Sequence, residues 1–448
     1  MDKKKKILLH DDIDKVFRKY LINSVLGMLV VSFYILVDTM FVGRGIGSEG
    51  LAALNISIPI FNVLNSLGLL LGMGGATALS IMVGKNDIYE AKRIFTQTIL
   101  LAVIVGIIIS IIGTLYTKEI GYMLGATEKS INLVSDYLSG MLFLSFSFIL
   151  VHTIASFVRN DNRPRLVMIA TVCSGILNIF LDYYFIFNLN LGIKGAALAT
   201  ATSSLINLLI LCTHFMSKKC TLKFIKFRPR VKRIIRILTN GMPSFIIEIS
   251  SGIVIFTFNI AILKMVGEIG VSAYSIIANV ALICVSIFTG VGQAIQPIIS
   301  INYGAEQFDR VDHVKKQALI FALITGCVFY LLGLIFPRQI VSIFTSETGE
   351  LLKITVNGIR YYFLAFIIMG INIVMGSYYQ SIEYRVASNI ISLGRGIIFL
   401  ITGLMILPRI LGLNGIWLTA VFAELITLIC TIIYIKLKKS KNNIVLED

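Results

Sequence analysis

The stretch ILLAVIVGIIISIIGTLY, residues 99–116, carries no charged side chain over eighteen positions. As an α-helix rising 1.5 Å per residue it would span about 27 Å, close to the roughly 30 Å of hydrocarbon in a bilayer. Residues 166–187 and 318–336 read the same way, with at most one charge each. Hydrophobic residues make up 56% of the 448 positions and charged ones 14%, which is more apolar side chain than one soluble core can hide. Working outward, the pattern predicts an all-α integral membrane protein of twelve transmembrane helices. They fall at about 18–43, 51–77, 92–115, 133–158, 165–188, 194–216, 235–263, 271–300, 314–336, 354–380, 386–408 and 414–437.

A formal charge of +16 invites a nucleic-acid reading, so the position of the Lys and Arg residues decides the matter. About 30 of the 40 lie in the N-terminus, the even-numbered loops and the C-terminus, about 8 in the odd loops, and two inside helices, Arg360 and Arg395. Positive charge is retained on the cytoplasmic side of a membrane. The chain is therefore expected in the plasma membrane with both termini cytoplasmic, in contact with lipid and with no nucleic-acid partner. The densest block is Lys218, Lys219, Lys223, Lys226, Arg228, Arg230, Lys232, Arg233 and Arg236. It reads as an inside-retention signal on the linker between helices 6 and 7. Helix 1 is too long for a signal-peptide core and is expected to stay in the mature protein. The six cysteines have neither CxxC spacing nor an extracellular pair, so no disulfide framework or metal site follows from them.

Sliding the sequence on itself by 220 residues aligns landmarks without a gap. Gly50 and Ala53 meet Gly270 and Ala273; Gly72 meets Gly292; Gly84 meets Gly304. Phe143, Leu144 and Phe146 meet Phe363, Leu364 and Phe366, and the register holds through Arg165 with Arg385, Gly192 with Gly412 and Gly195 with Gly415. One constant offset marks a duplication. Six helices per half is an even number, so both halves cross the membrane in the same sense. The expected organisation is two pseudo-symmetric six-helix lobes, 1–216 and 237–448, joined by a basic linker, 217–236. Such bundles commonly place a substrate cavity between the lobes.

A charge at mid-bilayer costs on the order of 3 kcal/mol on insertion scales, so intramembrane carboxylates are functional candidates. Four stand out: Asp38, Asp182, Glu248 and Glu424. Counting 1.5 Å per residue puts Asp38 on helix 1 and Asp182 on helix 5 both roughly 25 Å from the cytoplasmic end, with Thr200 of helix 6 at a similar level. Asn178 lies one turn before Asp182 on the same face. Two carboxylates, an amide and a hydroxyl at one depth suit a proton or a hard cation such as Na⁺. Their counterparts at the 220 offset are Phe258, Ile398, Thr402 and Ala420, so the second half has no ionisable copy. Arg395 and Glu424 fall at similar depths on consecutive helices and are expected to form a structural ion pair.

Several segments resemble the multidrug and toxic compound extrusion (MATE) family. They are YILVDTMFVGRGIGSEGLAAL at 34–54, NDNRPR at 160–165 running into GILNIFLD at 175–182, GIKGAALAT at 192–200 and GVGQAIQPIISINYGA at 290–305. The resemblance covers nearly the whole chain. It implies a monomeric secondary antiporter, not an enzyme, that needs no cofactor and exports amphipathic, often cationic small molecules in exchange for H⁺ or Na⁺. It assigns Asp38, Asn178, Asp182 and Thr200 to the coupling site, with no other metal, and points to Glu248, Gln293, Gln296 and Tyr34 as substrate-cavity residues. Family members commonly have a proline fifteen residues before the helix-1 Asp, where this chain has Asn23; the second half retains Pro243 at the equivalent position. The rival reading is a lipid-linked oligosaccharide flippase of the same wider superfamily. Such carriers usually have more helices and a cationic cavity, whereas the intramembrane charges here are mostly acidic. The chain has no ATPase motif, so an ion gradient is the expected energy source.

Overall fold

The computed structural model describes residues 7–218, 220–345 and 349–444; the Lys3 to Lys6 run and Lys219 of the basic block lie outside the described residues. Among these residues ten helices are long and apolar enough to cross a membrane, or twelve if each of two bent pairs is one span, and no strand is present. The first six spans are α1 Ile13–Gly45, α2 Ser48–Gly84, α3 Ile88–Leu115, α4 Ile131–Phe143 with Ser145–Asn160, α5 Pro164–Asn188 and α6 Gly192–Met216. The second six are α7 Val231–Val266, α8 Glu268–Gly304, α9 Phe308–Ile335, α10 Glu350–Tyr362 with Ala365–Ser381, α11 Arg385–Leu411 and α12 Leu413–Ile444.

Several helix starts follow from local chemistry. Asp12 caps α1 by accepting from the Asp14 N–H, and Asp87 caps α3 by accepting from the Glu90 N–H at 2.9 Å, each satisfying a donor that the helix leaves free. Pro164 occupies the first position of α5, where its missing N–H costs nothing. Many helices run past the apolar stretches that announce them. The α2 helix continues to Gly84 and α7 begins at Val231, which places Arg233 and Arg236 in a helix rather than in the linker.

The duplication is visible in the backbone. Span α4 bends by 48° and α10 by 45°, at breaks 220 residues apart. The short helices Thr117–Met123 and Pro337–Ser342, which follow α3 and α9, also correspond. Left-handed residues recur at the same offset: Gly47 with Gly267, Asn86 with Glu306, and Gly192 with Gly412. Neither bend sits at proline or glycine. At the first, the Leu144 carbonyl accepts from both the N–H and the hydroxyl of Ser147, each at 2.8 Å, and Ser110 of α3 donates to the Phe143 carbonyl at 3.0 Å; hydroxyls thus bond backbone carbonyls on both sides of the break. Packing repeats too. A Cβ at Gly72 would lie 2.8 Å from the His152 carbonyl oxygen, and one at Gly292 would collide with Ser377, so both glycines let a helix approach the second piece of the bent span.

The chain forms two compact units, Met1–Ile249 with Pro297–Val311 and Ser250–Gln296 with Asp312–Asp448. Span α8 changes unit at Pro297, a residue that cannot complete the helical ladder. In the first unit α1 lies along α5, α2 against α4, and α6 against α4 and α5. Phe95, Leu138, Met141 and Phe157 are fully buried there. In the second unit the fully buried large side chains include Trp417, Phe258, Phe288, Phe363 and Phe366.

The residues 220–230 run without regular structure along the first unit. The Ile225 N–H donates to Thr96 Oγ1 at 3.3 Å, and Phe224 packs on Phe95 with ring centroids 5.0 Å apart. Arg233, one residue of the basic block assigned to the linker, is buried. Its Nε and Nη2 donate to Glu90 at 2.8 and 3.0 Å, and its Nη1 donates to Gln97 at 2.7 Å.

Candidate functional site

Helix α5 presents Asn178 and Asp182 one turn apart, both buried. It can do so because Gly175, just before them, leaves room for α1: a Cβ there would press on Val30 at 3.1 Å and Tyr34 at 3.3 Å. The close approach brings the Asp38 carboxyl against that of Asp182. From the other side, Asn178 Nδ2 donates to Thr200 Oγ1 of α6 at 3.5 Å. The four residues that sequence depth put at one level are therefore gathered in one place, on three helices of the first unit.

Donors are what the cluster lacks. Asp38 Oδ1, Asn178 Oδ1 and both Asp182 oxygens are buried without a hydrogen-bond partner. A buried acceptor left unsatisfied costs about 1–3 kcal/mol, and two carboxylates can share a hydrogen bond only if a proton is supplied. An all-oxygen donor set suits a proton or a hard cation and is unsuited to a thiophilic metal. The cluster therefore holds more buried acceptor oxygens than donors.

Sequence reading missed Tyr137 of α4. It is 5% exposed, its hydroxyl faces Thr200, and it interacts with both carboxylates. One aromatic residue in an apolar span carries no signal of its own, and only the packing of α4 against α6 singles it out. Tyr34 interacts electrostatically with Asp38, Glu248 and Asp182, which links the α1 carboxylate to the α7 one within the first unit. Gln293 and Gln296 lie on the part of α8 that belongs to the second unit, Gln296 buried and Gln293 partly so.

Arg395 and Glu424 meet as their depths suggested. Arg395 Nη2 and Nε donate to Glu424 Oε1 at 2.9 and 3.1 Å, and Asn372 Nδ2 donates to Oε2 at 2.7 Å. Arg395 sits in a single widened helical turn, Gly394–Ile398, where the backbone ladder is loosened. Away from both sites His152 pairs its Nε2 with Asn65 Oδ1 at 3.2 Å.

Comparison with known proteins bears on this architecture. The MatE family model matches residues 24–184 and 243–405, two stretches offset by 219 residues at their starts and 221 at their ends, in agreement with the internal duplication. The chain belongs to the MATE family. It is similar to the multidrug export protein MepA of Staphylococcus saprophyticus, 25% identical over 429 residues that cover 94% of this chain and 93% of that one. To MepA of Staphylococcus haemolyticus it is 27% identical over 419 residues, 92% and 90% of the two chains. Among solved structures, an outward-facing multidrug resistance MATE transporter shares its fold with a TM-score of 0.90 at 24% identity, covering 98% of both chains. A transporter of the wider MOP superfamily from Pyrococcus furiosus gives 0.89 at 22% identity, again over 98% of both. As a MATE-family member the chain is a multi-pass membrane transporter of two six-helix lobes.

Proposed function

We propose that this MATE-family transporter exports amphipathic, often cationic small molecules in exchange for H⁺ or Na⁺, and that the ion is carried at Asp38, Asn178, Asp182 and Thr200. The observation that carries the reading is the set of four buried oxygens without donors on Asp38, Asn178 and Asp182. The ion supplies the missing charge, so its arrival and loss change the free energy of α1 against α5. Exchange requires that ion and substrate differ in affinity for the two carrier states. Taken up from outside, the ion removes the repulsion between the Asp38 and Asp182 carboxylates and releases substrate; its loss to the cytoplasm restores two repelling carboxylates that favour a cationic substrate. Glu248 adds negative charge for a cationic substrate, with the neutral Tyr34 hydroxyl near it in the first unit. We take the carrier to act as a monomer in the plasma membrane with both termini cytoplasmic, since one chain holds the whole cluster. The names of the staphylococcal relatives support a drug-like substrate range.

The test is ethidium flux in proteoliposomes under an imposed pH gradient or an imposed Na⁺ gradient. One gradient is expected to drive flux and the other to fail, which names the ion. Asp38→Asn and Asp182→Asn are expected to lower the driven component by about 100-fold. Full transport in both variants would sink the coupling role. Movement of lipid-linked sugar without ethidium flux would point instead to a flippase.

A further inference from the structure

The end of the first unit from which the linker departs holds a second group of polar side chains, unlike the first in chemistry. Asp161 lies in the loop between α4 and α5, His214 in the last turn of α6, and Cys220 at the start of the linker. Their ligating atoms all lie within 4.8 Å of one another, the one such triad of His, Cys and carboxylate groups among the described residues. Neither the cysteine spacing nor the isolated histidine announces it in sequence, because the three come from separate segments.

The triad is built rather than incidental. His214 is fully buried and Asp161 is 5% exposed. Asp161 Oδ2 sits 2.6 Å from His214 Nε2, while His214 Nδ1 is buried without a partner. Thr221 holds the carboxylate in place, its N–H donating to Oδ2 at 2.9 Å and its hydroxyl to Oδ1. Carboxylates and imidazoles oriented by such outer partners are characteristic of metal sites. Between His214 and Cys220, Ser217 is held by Arg163, whose Nη2 donates to its Oγ at 3.1 Å. Of the three, Asp161 also lines an adjoining cavity, together with Ser80, Lys92, Asn160, Thr221 and Lys223.

We propose that Asp161, His214 and Cys220 bind a borderline-soft divalent cation of the Zn²⁺ kind, which clips the start of the linker to the first unit. One imidazole nitrogen, one sulfur and one carboxylate oxygen form a three-ligand set that leaves a fourth position for water. The charges balance: a carboxylate and a thiolate neutralise a dication, so the ion can be buried at low electrostatic cost. The Cys220 proton leaves to solvent as the metal binds. Nearest ligands on a tetrahedral zinc stand about 3.3 Å apart for bonds near 2.0–2.1 Å. Entry of the metal therefore replaces the 2.6 Å His214 to Asp161 contact and parts the two groups by about 0.7 Å. The oxygen-only cluster around Asp182 lacks sulfur and imidazole and would not compete for the same ion.

The experiment uses the full chain in detergent after chelator treatment, titrated with Co²⁺ and then Zn²⁺. The expected result is one metal per chain, with thiolate-to-cobalt charge-transfer absorption that Zn²⁺ abolishes. Cys220→Ala removes that absorption and weakens Zn²⁺ binding by at least about 10–100-fold, and the outer-partner variant Thr221→Val weakens it within that range. Because His214 variants can fail to fold, a second reading uses the wild-type chain: saturating Zn²⁺ slows alkylation of Cys220. The proposal is overturned if no metal binds, if Cys220→Ala binds Zn²⁺ as tightly as wild type, or if Zn²⁺ leaves the alkylation rate of Cys220 unchanged.

Discussion

The same positions of the duplicated fold are filled in two opposite ways. In the first half Asp38, Asn178, Asp182 and Thr200 make a buried cluster with acceptors to spare. In the second half Asp38 is replaced by Phe258, which is fully buried and stacks on Tyr274 with centroids 5.0 Å apart at 6°; Tyr274 in turn stacks on Trp417 at 6.4 Å. Tyr362 meets Phe258 edge-on at 6.3 Å. Aromatic pairs of this kind add about 0.5–1.5 kcal/mol each beyond the area they bury. The fold therefore does not need carboxylates at this place, and keeping them in the first half costs stability that packing would otherwise supply. The carboxylate that the second half does bury, Glu424, is saturated by Arg395 and Asn372. A fully paired charge is fixed in place, while one short of donors can exchange a proton or an ion.

That contrast can be broken most sharply at the first cluster. Asp38→Asn or Asp182→Asn is expected to lower gradient-driven efflux by about 100-fold, near the top of the 1–3 kcal/mol usual for coupling between sites, whereas Glu424→Gln leaves the choice of driving ion unchanged. Flux under each imposed gradient reads this directly. At the saturated pair the effect falls on stability. Arg395→Met alone strands a buried carboxylate and is expected to cost about 3–5 kcal/mol in thermal unfolding, while Arg395→Met with Glu424→Leu recovers most of it. Phe258→Leu removes the stacking of the aromatic counterpart and is expected to cost about 1–2 kcal/mol, with ion coupling retained. Smallest is Thr200→Val, which removes one interhelical hydrogen bond worth about 0.6 kcal/mol. It shifts the half-saturating ion concentration in the flux assay without abolishing transport.

Much of the fold was legible because a bilayer tests each segment by length and apolarity alone. Residues 99–116 announce α3 without reference to anything else, and the 220 offset foretells that a backbone feature of one half recurs in the other. The bends themselves were not legible. Leu144 and Leu364 are ordinary helix formers, and the first break is accommodated by Ser110 on a neighbouring helix. The pairing of Arg233 was not legible for the same reason: its partners Glu90 and Gln97 lie 143 and 136 residues away, so in sequence it is one more basic residue in a basic block.

Of the carboxylate cluster, sequence determined the depth of Asp38, Asp182 and Thr200, since depth in a helix follows from counting residues. It also determined that the cluster belongs to one half, since the duplicate positions carry Phe258, Ile398, Thr402 and Ala420. Only tertiary structure decided which buried carboxylates find donors. Asp38 meets Asp182 and finds none for Oδ1, while Glu424 meets Arg395 and Asn372. The physical reason is that a hydrogen-bond partner is set by how helices distant in sequence rotate and pack against one another, at a separation of about 3 Å that no spacing along the chain encodes.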